Sequence, residues 1–279
     1  MAARYPERIV CLTEETTETL YLLGEERRIV GISGYTVRPP RARREKPRVS
    51  AFLSARLDRI LELKPDLVLG FSDLQADIAR DLAKAGLNIM IFNQRSVDEI
   101  LSMILTLSSM VGSVDKGAAL VKALERNLSE IREAASRFAR RPKVYFEEWD
   151  EPMISGIRWV SELVEIAGGE DIFADLSHSQ SASGRIVADG RRVVEKQPDV
   201  ILGSWCGKKF RPELVAARAG WHDVPAVKAN QLFEIKSADI LQPGPAALTD
   251  GVRRIHAILS GYLRGSLSAG DRIPSPGGA

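Results

Sequence analysis

The side chains best suited to chemistry in this 279-residue chain fall in a few short loops. EEWDEP supplies Glu147, Glu148, Trp149 and Asp150, SWCGKKFR supplies Trp205, Cys206, Lys208, Lys209 and Arg211, and SADILQPGP supplies Asp239 and Gln242. Nearer the amino terminus, Tyr35 lies in ISGYTVRPP, Phe52 in VSAFLSA, and Phe71 opens a Phe-Ser-Asp loop after KPDLVLG. Each loop mixes aromatic rings with polar or charged groups. Tyr35, Phe52, Phe71, Trp149 and Trp205 are suited to walling a large, planar, partly apolar ligand. Lys208, Lys209 and Arg211 suit phosphate, carboxylate or amide oxygens. Glu147, Glu148, Asp150 and Asp239 suit amide donors.

The same residues make a poor catalyst. His178, His222 and His256 show no metal-ligand spacing, and the chain has no G-x-S-x-G elbow, phosphate loop or G-x-G-x-x-G motif. Glu147 and Glu148 are neighbours at an expected strand end, so their side chains diverge instead of pairing for acid–base work. Cys11 reads as a packed strand residue. Cys206, in a polar loop, is the candidate thiol contact to a ligand. Trp159 and Trp221 read as core. The expectation is a binding protein without catalytic cofactor or bound metal.

The elements that must position these loops alternate. Strands are expected at Arg8–Leu12, Arg28–Ile32, Leu67–Leu69 and Asn88–Phe92, with helices between them, several ended by glycine as at Gly24 and Gly86. Strands separated by helices imply βαβ units and a mainly parallel sheet. From Asp115 to Arg140 the apolar residues Leu120, Val121, Leu124, Leu128 and Ile131 keep a helical period. They predict one amphipathic helix of about 39 Å. The pattern then restarts: LELKPDLVLG at 61–70 recurs as VEKQPDVILG at 194–203, an offset of 133 residues. RIVCLTEETTETLYLLG is answered by KVYFEEW…WVSELVEIAGG, and NIMIFNQRSVDEI by QLFEIKSADILQ. The expected fold is α/β: two similar lobes with mainly parallel sheets, 1–113 and 142–264, joined by one long helix at 114–141. The tail, 265–279, is expected to be disordered. Because ligands bind beyond the carboxyl ends of parallel strands, the expected site is a cleft between the lobes.

The net charge of +2 gives no nucleic-acid signal, and the basic run from Arg38 to Arg48 lacks interleaved aromatics. No stretch approaches the length of a transmembrane helix.

With these residues in view, the chain resembles the periplasmic-type substrate-binding proteins whose lobes are joined by a single long helix, the cobalamin-, siderophore- and haem-binding group of ABC importers. RIVCLTEETTETLYLLG, RIVGISGYTVRPP, RVSAFLSARLDRILELKPDLVLG and LVEIAGGEDIF carry the resemblance, which covers about Arg8 to Leu263 and is closest to the cobalamin-binding branch. It implies ligand contacts at Tyr35, Phe52, Phe71 and the EEWDEP and SWCGKK loops, with a cobalamin-like corrinoid as ligand. Two departures stand out. The family opening Ser-Leu-x-Pro-Ser is here Cys11, Leu12, Thr13, Glu14, Glu15, which makes the pocket floor more acidic. Where family members offer a permease-docking glutamate, this chain has Gly190 followed by Arg191 and Arg192; the first-lobe counterpart lies near Ala76 and Asp77. Basic charge there would repel a permease arginine. With no leader in the sequence and two distant cysteines, the departures point to a cytoplasmic carrier or salvage protein, an importer subunit in the periplasm being the alternative. The competing ligands are haem or a ferric chelate; the competing class is an enzyme acting on a tetrapyrrole or another amide-rich molecule through Glu147, Glu148, Asp150, Lys208 and Lys209.

Overall fold

The repeated Pro-Asp turn has a mechanical reason. In the computed structural model, which describes residues 5–265, the residue before each proline, Lys64 or Gln197, takes a left-handed conformation with φ of 46° or 49°. Such a backbone is strained for any residue but glycine and must be held by its surroundings. The aspartate that follows does so. Asp66 accepts the backbone N–H groups of Glu7 at 2.8 Å and Arg8 at 3.0 Å. Asp199 likewise accepts the N–H of Lys143 at 2.8 Å, and also takes both guanidinium nitrogens of Arg140. Each aspartate thus ties the start of one strand to the first strand of its sheet.

Two sheets result. The first has the strands β1 (Ile9–Cys11), β2 (Ile29–Ser33), β3 (Arg48–Ala51), β4 (Ser54–Ala55), β5 (Leu67–Phe71) and β6 (Ile89–Phe92), in the order β4-β3-β2-β1-β5-β6, parallel except for the β3–β4 pair. The second has β7 (Lys143–Asp150), β8 (Met153–Ser155), β9 (Glu170–Asp171), β10 (Val200–Gly203) and β11 (Leu232–Glu234), in the order β11-β10-β7-β8 with β9 also against β7; β8 alone is antiparallel. The Pro-Asp strands β5 and β10 each pair in parallel with the first strand of their sheet, and β6 and β11 extend each sheet in the same way. This is the repeat that KPDLVLG and QPDVILG predict.

Helices α1 (Glu14–Leu22), α2 (Ala42–Glu45), α3 (Leu57–Glu62), α4 (Ala76–Lys84) and α5 (Val97–Met110) connect or follow the strands of the first sheet. The long helix α6 (Val114–Ala135) comes next, and α7 (Arg158–Ile166) to α13 (Val252–Leu263) accompany the second sheet. The chain forms two units, one running to Gln94 and including Asp98–Leu124, the other comprising Arg95–Val97 and the chain from Glu125 onward; it passes between them within α6. Helix α6 ends five residues before the expected Arg140. A tight turn puts Phe138 flat against His256 at 5.2 Å, and that stacking replaces another helical turn. The first unit packs Val10, Leu12, Val49, Ile60, Val68 and Leu82 around its sheet, the second Tyr145, Phe173, Ile201, Trp205, Phe210 and Trp221. The fold is α/β with mainly parallel sheets, as the sequence predicts. The tail expected to be disordered lies, apart from Gly265, outside the described residues.

Candidate functional site

Strand β7 carries EEWDEP to the carboxyl edge of the second sheet, and its alternation sends consecutive side chains to opposite faces. Glu147 turns inward and is fully buried. Its Oε1 accepts from Trp205 Nε1 and Arg218 Nη2, both at 3.0 Å, and its Oε2 from Tyr145 Oη at 3.0 Å and Arg218 Nη1 at 2.5 Å. Four donors on one carboxylate satisfy a charge that would otherwise be very costly to bury. Burial followed by the Glu147 charge holds the Tyr145 hydroxyl well above its ordinary pKa. Burial alone would lower the pKa of Arg218, but its bonds to Glu147 outweigh this and raise it. Glu148 turns the other way and pairs bidentately with Arg185, at 2.5 and 3.2 Å, which is itself buried and donates to the carbonyl of Ser155.

These pairs revise the sequence reading. Glu147 was expected to accept from ligand amides, yet both its oxygens are occupied inside the unit. Trp205 was expected to wall the ligand, but it is 3% exposed. It packs edge-on against Phe210 at 5.1 Å and donates its indole N–H to Glu147. Gly203 makes this packing possible, since a Cβ there would lie 1.9 Å from a Phe210 ring carbon. Phe71 is also buried, at 6%. Arg185 and Arg218, the partners that consume the two glutamates, gave no signal in the sequence: each is a lone arginine 37 or 71 residues away from its glutamate.

At the rim, Lys208 Nζ lies 4.2 Å from the centre of the Trp149 ring and 5.0 Å from that of Trp205, and pairs with Asp150 at 2.5 Å. A cation held between indoles and a carboxylate fixes the Trp149 ring, whose own N–H donates to the carbonyl of Glu151 at 2.8 Å. Beside it a recess of about 540 Å³ is lined by Asp150, Met153, Ile186, Leu214, Arg218 and Trp221 among others. Cys206 is exposed. Asp239 is half-buried, with Arg254 Nη1 at 3.7 Å, and Gln242 is half-buried where its carbonyl accepts from Gly244 N–H. Just beyond, Ala247–Gly251 forms a π-helical turn at the start of α13, with the Leu248 carbonyl held by Asn127 Nδ2 at 2.7 Å. Trp159 and Trp221 are core residues, as read from the sequence.

The first unit presents a different edge. Tyr35 is 58% exposed after β2, and Phe52 is half-buried after β3. After β1 comes a run of buried polar residues from Thr13 to Thr19. The hydroxyls of Thr16 and Thr17 donate to the carbonyl of Thr13, and that of Thr19 to the carbonyl of Glu15. Glu14 accepts the backbone N–H of Val37, and Glu15 accepts Thr13 Oγ1 and its own N–H. In each glutamate the other oxygen, Oε2, is buried without a partner, as are Thr36 Oγ1 after β2 and Ser50 Oγ near the end of β3. Burial, then the charge of Glu15, pushes Glu14 up to about 8. Burial outweighs the bonds to Thr13 and to its own N–H and pushes Glu15 up to about 7. Cys11 beneath them is fully buried, and burial pushes its thiol up to about 12, which leaves it unreactive. Among the described residues no group of three or more His, Cys, Asp or Glu side chains is placed to hold a metal ion, and no helix is long and apolar enough to cross a membrane.

The periplasmic binding protein family matches residues 9–238. A vitamin B12-binding protein of Vibrio cholerae is 28% identical over 91% of this chain and 90% of its own. An uncharacterized ABC transporter substrate-binding lipoprotein, YvrC, of Bacillus subtilis is 24% identical over 90% of this chain and 79% of its own. Among solved structures, the periplasmic vitamin B12 binding protein BtuF of Vibrio cholerae aligns with a TM-score of 0.72 at 25% identity, covering 92% of this chain and 98% of the other. The periplasmic heme-binding protein RhuT from Roseiflexus sp. RS-1 aligns at 0.77 and 23%, covering 91% and 99%. The chain belongs to the periplasmic binding protein family and has its two-lobed α/β fold.

Proposed function

We propose that this member of the periplasmic binding protein family is a non-catalytic binding protein for a corrinoid, held by the loops at the carboxyl ends of its strands. The observation that carries the ligand is the likeness, over nine-tenths of both chains, to a vitamin B12-binding protein. The geometry supports it. Tyr35 and Phe52 in one unit, and Trp149 steadied by Lys208 in the other, are aromatic surfaces at strand ends, suited to a broad, partly apolar ring. The enzymatic alternative loses its acid–base pair, because Glu147 and Glu148 are each clamped by an arginine as a fixed ion pair.

For the compartment the reading is a cytoplasmic carrier. It rests on Arg191 and Arg192 beside Gly190 and on two cysteines far apart in sequence. Asp189, the nearest acid, is engaged by Arg191 at 2.7 Å. The comparisons lend this compartment no support, and recovery of the natively expressed protein in the periplasm would overturn it, restoring delivery to a permease. The ligand is tested by equilibrium titration with cyanocobalamin, haemin and a ferric siderophore, followed by visible absorption. Saturable binding of cyanocobalamin in preference to the other two is expected. Preference for haemin or the siderophore sinks the corrinoid reading, and conversion of any of them to a new compound sinks the non-catalytic one.

A further inference from the structure

The unpartnered polar atoms of the first unit include four at the carboxyl ends of three adjacent strands. Glu14 Oε2 and Glu15 Oε2 follow β1, Thr36 Oγ1 follows β2 and Ser50 Oγ ends β3. The glutamates are 7% and 1% exposed and Thr36 is fully buried. Buried polar groups are nearly always hydrogen-bonded, and each exception asks for a partner. The surroundings do not supply one. The Thr16, Thr17 and Thr19 hydroxyls are spent on carbonyls, and Glu18 on α1 is spent on Arg38 at 2.8 Å. Arg43 on α2 acts on Glu14 through space, and Lys46 beyond α2 acts on the Cys11 thiol. Neither cation bonds to the bare oxygens, and burial with the neighbouring carboxylates holds Glu14 and Glu15 partly neutral, so a neutral donor is the fitting group.

We propose that Glu14, Glu15, Thr36 and Ser50 form a subsite for primary carboxamide groups of the ligand, the carboxylate oxygens accepting the amide N–H groups and the two hydroxyls donating to the amide carbonyl. A carboxamide has two donors and one carbonyl, and the four bare atoms complement both. The inference rests on the corrinoid reading, since amidated corrinoids carry such groups around their rim. It also reassigns amide recognition from Glu147 and Glu148, whose oxygens serve arginines, to Glu14 and Glu15.

A consequence is linkage to protons. The ionised carboxylate is the better acceptor, and Glu15 and Glu14 are pushed up to about 7 and 8, so each is partly protonated near neutrality. Amide binding favours the ionised form and releases protons, so affinity rises with pH until both groups are ionised. The groups that bear on this titration are Glu18 and Arg38, Arg43, Lys46 and the inert thiol of Cys11.

The test titrates the full chain with cyanocobalamin, with cobinamide and with cobyrinic acid, which lacks the nucleotide as cobinamide does but carries carboxyls where cobinamide has amides, at pH 6 and 8.5. Wild type is expected to bind cyanocobalamin about tenfold more tightly at pH 8.5, and to prefer cobinamide to cobyrinic acid by about tenfold or more, an amount typical of one buried polar mismatch. Glu14→Gln/Glu15→Gln, isosteric and checked for folding by its melting curve, is expected to flatten the pH dependence to within about twofold, since the titrating groups are gone. A double variant with wild-type affinity and the wild-type pH profile overturns the subsite, as does a wild type that binds cobyrinic acid as well as cobinamide. If wild type binds no amidated corrinoid at either pH, the corrinoid reading falls and takes the subsite with it. Corrinoid binding that ignores the double substitution sinks the subsite alone.

Discussion

At the carboxyl end of β7, Glu147 holds four donors on two oxygens; at the matching end of β1, Glu14 and Glu15 each leave one oxygen bare. The strands occupy the same place in related sheets, so the backbone does not make the difference. What differs is the supply of cations. The second unit sends Arg218 and Arg185 to its two glutamates from distant segments, whereas the first gives Arg38 to Glu18 and leaves Glu14 and Glu15 with a threonine and backbone N–H groups. A satisfied buried network rigidifies and specifies its surroundings, and an unsatisfied one stores binding capacity at a cost in stability. Ser204 Oγ after β10, Arg185 Nε and Asp171 Oδ2 are bare too, so the contrast concerns the glutamates at the ends of β1 and β7 and not every buried polar atom.

The largest expected effect breaks the contrast by stripping the second edge of its cation. Arg218→Met leaves the Glu147 carboxylate fully buried without its bidentate partner, and removing one member of such a pair costs about 3–5 kcal/mol. Urea unfolding followed by the tryptophans reads the change, because Trp205 and Trp221 sit in that core. A loss under about 1 kcal/mol would show that water or a rearranged lysine replaces the guanidinium, and that the network is not what stiffens this edge.

Next comes the first edge, with the opposite sign. A carboxyl pushed up by burial binds its proton more tightly in the folded chain than in the unfolded one, so stability falls as pH rises from about 4.5, its ordinary value, to the folded value. For Glu15 that window ends near 7 and for Glu14 near 8. Asp199 and Glu25, held low by their partners, act the other way and only below the ordinary carboxylate range. Glu15→Gln removes the charge that must be buried. It is therefore expected to stabilise the ligand-free protein at pH 8 by about 3 kcal/mol and to make melting temperature less sensitive to pH between 5 and 8. A wild-type melting temperature that climbs across that range contradicts the sign.

A middle-sized effect sharpens the account of Trp205. Trp205→Phe keeps most of the packing against Phe210 but removes the N–H donated to Glu147. Losing one bond to a buried charge costs about 1.5–3 kcal/mol. Corrinoid affinity is expected to change less than stability. An affinity loss with unchanged stability would return Trp205 to the ligand wall.

What the sequence made legible follows from the range of its signals. The alternation of apolar strands with glycine-ended helices, and the Pro-Asp turns at Pro65 and Pro198, are local, so the two sheets and their repeat could be read directly. The loops were found as well, since they follow the strands in sequence. Which loop residues stay open was not legible, because that depends on partners such as Arg185 and Arg218, 37 and 71 residues from the glutamates they neutralise. The end of α6 was lost for a similar reason: its period continues past Ala135, but the contact of Phe138 with His256 decides where the turn comes. Glu14 and Glu15 were visible as an acidic departure. Their burial was not, since it depends on how α1 packs on its sheet and not on the composition of the run.

The smallest expected effect concerns the rim, where the second edge keeps a charge that is not buried. Lys208 is 41% exposed at its side chain and touches Asp150, Trp149 and Trp205 at once. An exposed ion pair contributes at most about 1 kcal/mol, and a cation over an exposed ring about 0.5–1 kcal/mol. Lys208→Ala should therefore lower stability by no more than about 1 kcal/mol, with the loss shrinking in high salt as the Asp150 attraction is screened. Its effect on binding should be larger than its effect on folding, because Lys208 holds the Trp149 ring in place and a ring that must be ordered on binding weakens the complex. Lys208→Ala in the Trp149→Ala background decides the point. If the lysine acts through the ring, the second substitution adds little to the affinity loss when the tryptophan is already absent. If the two losses add in full, Lys208 meets the ligand by itself, and the rim of the second unit contributes charge as well as surface.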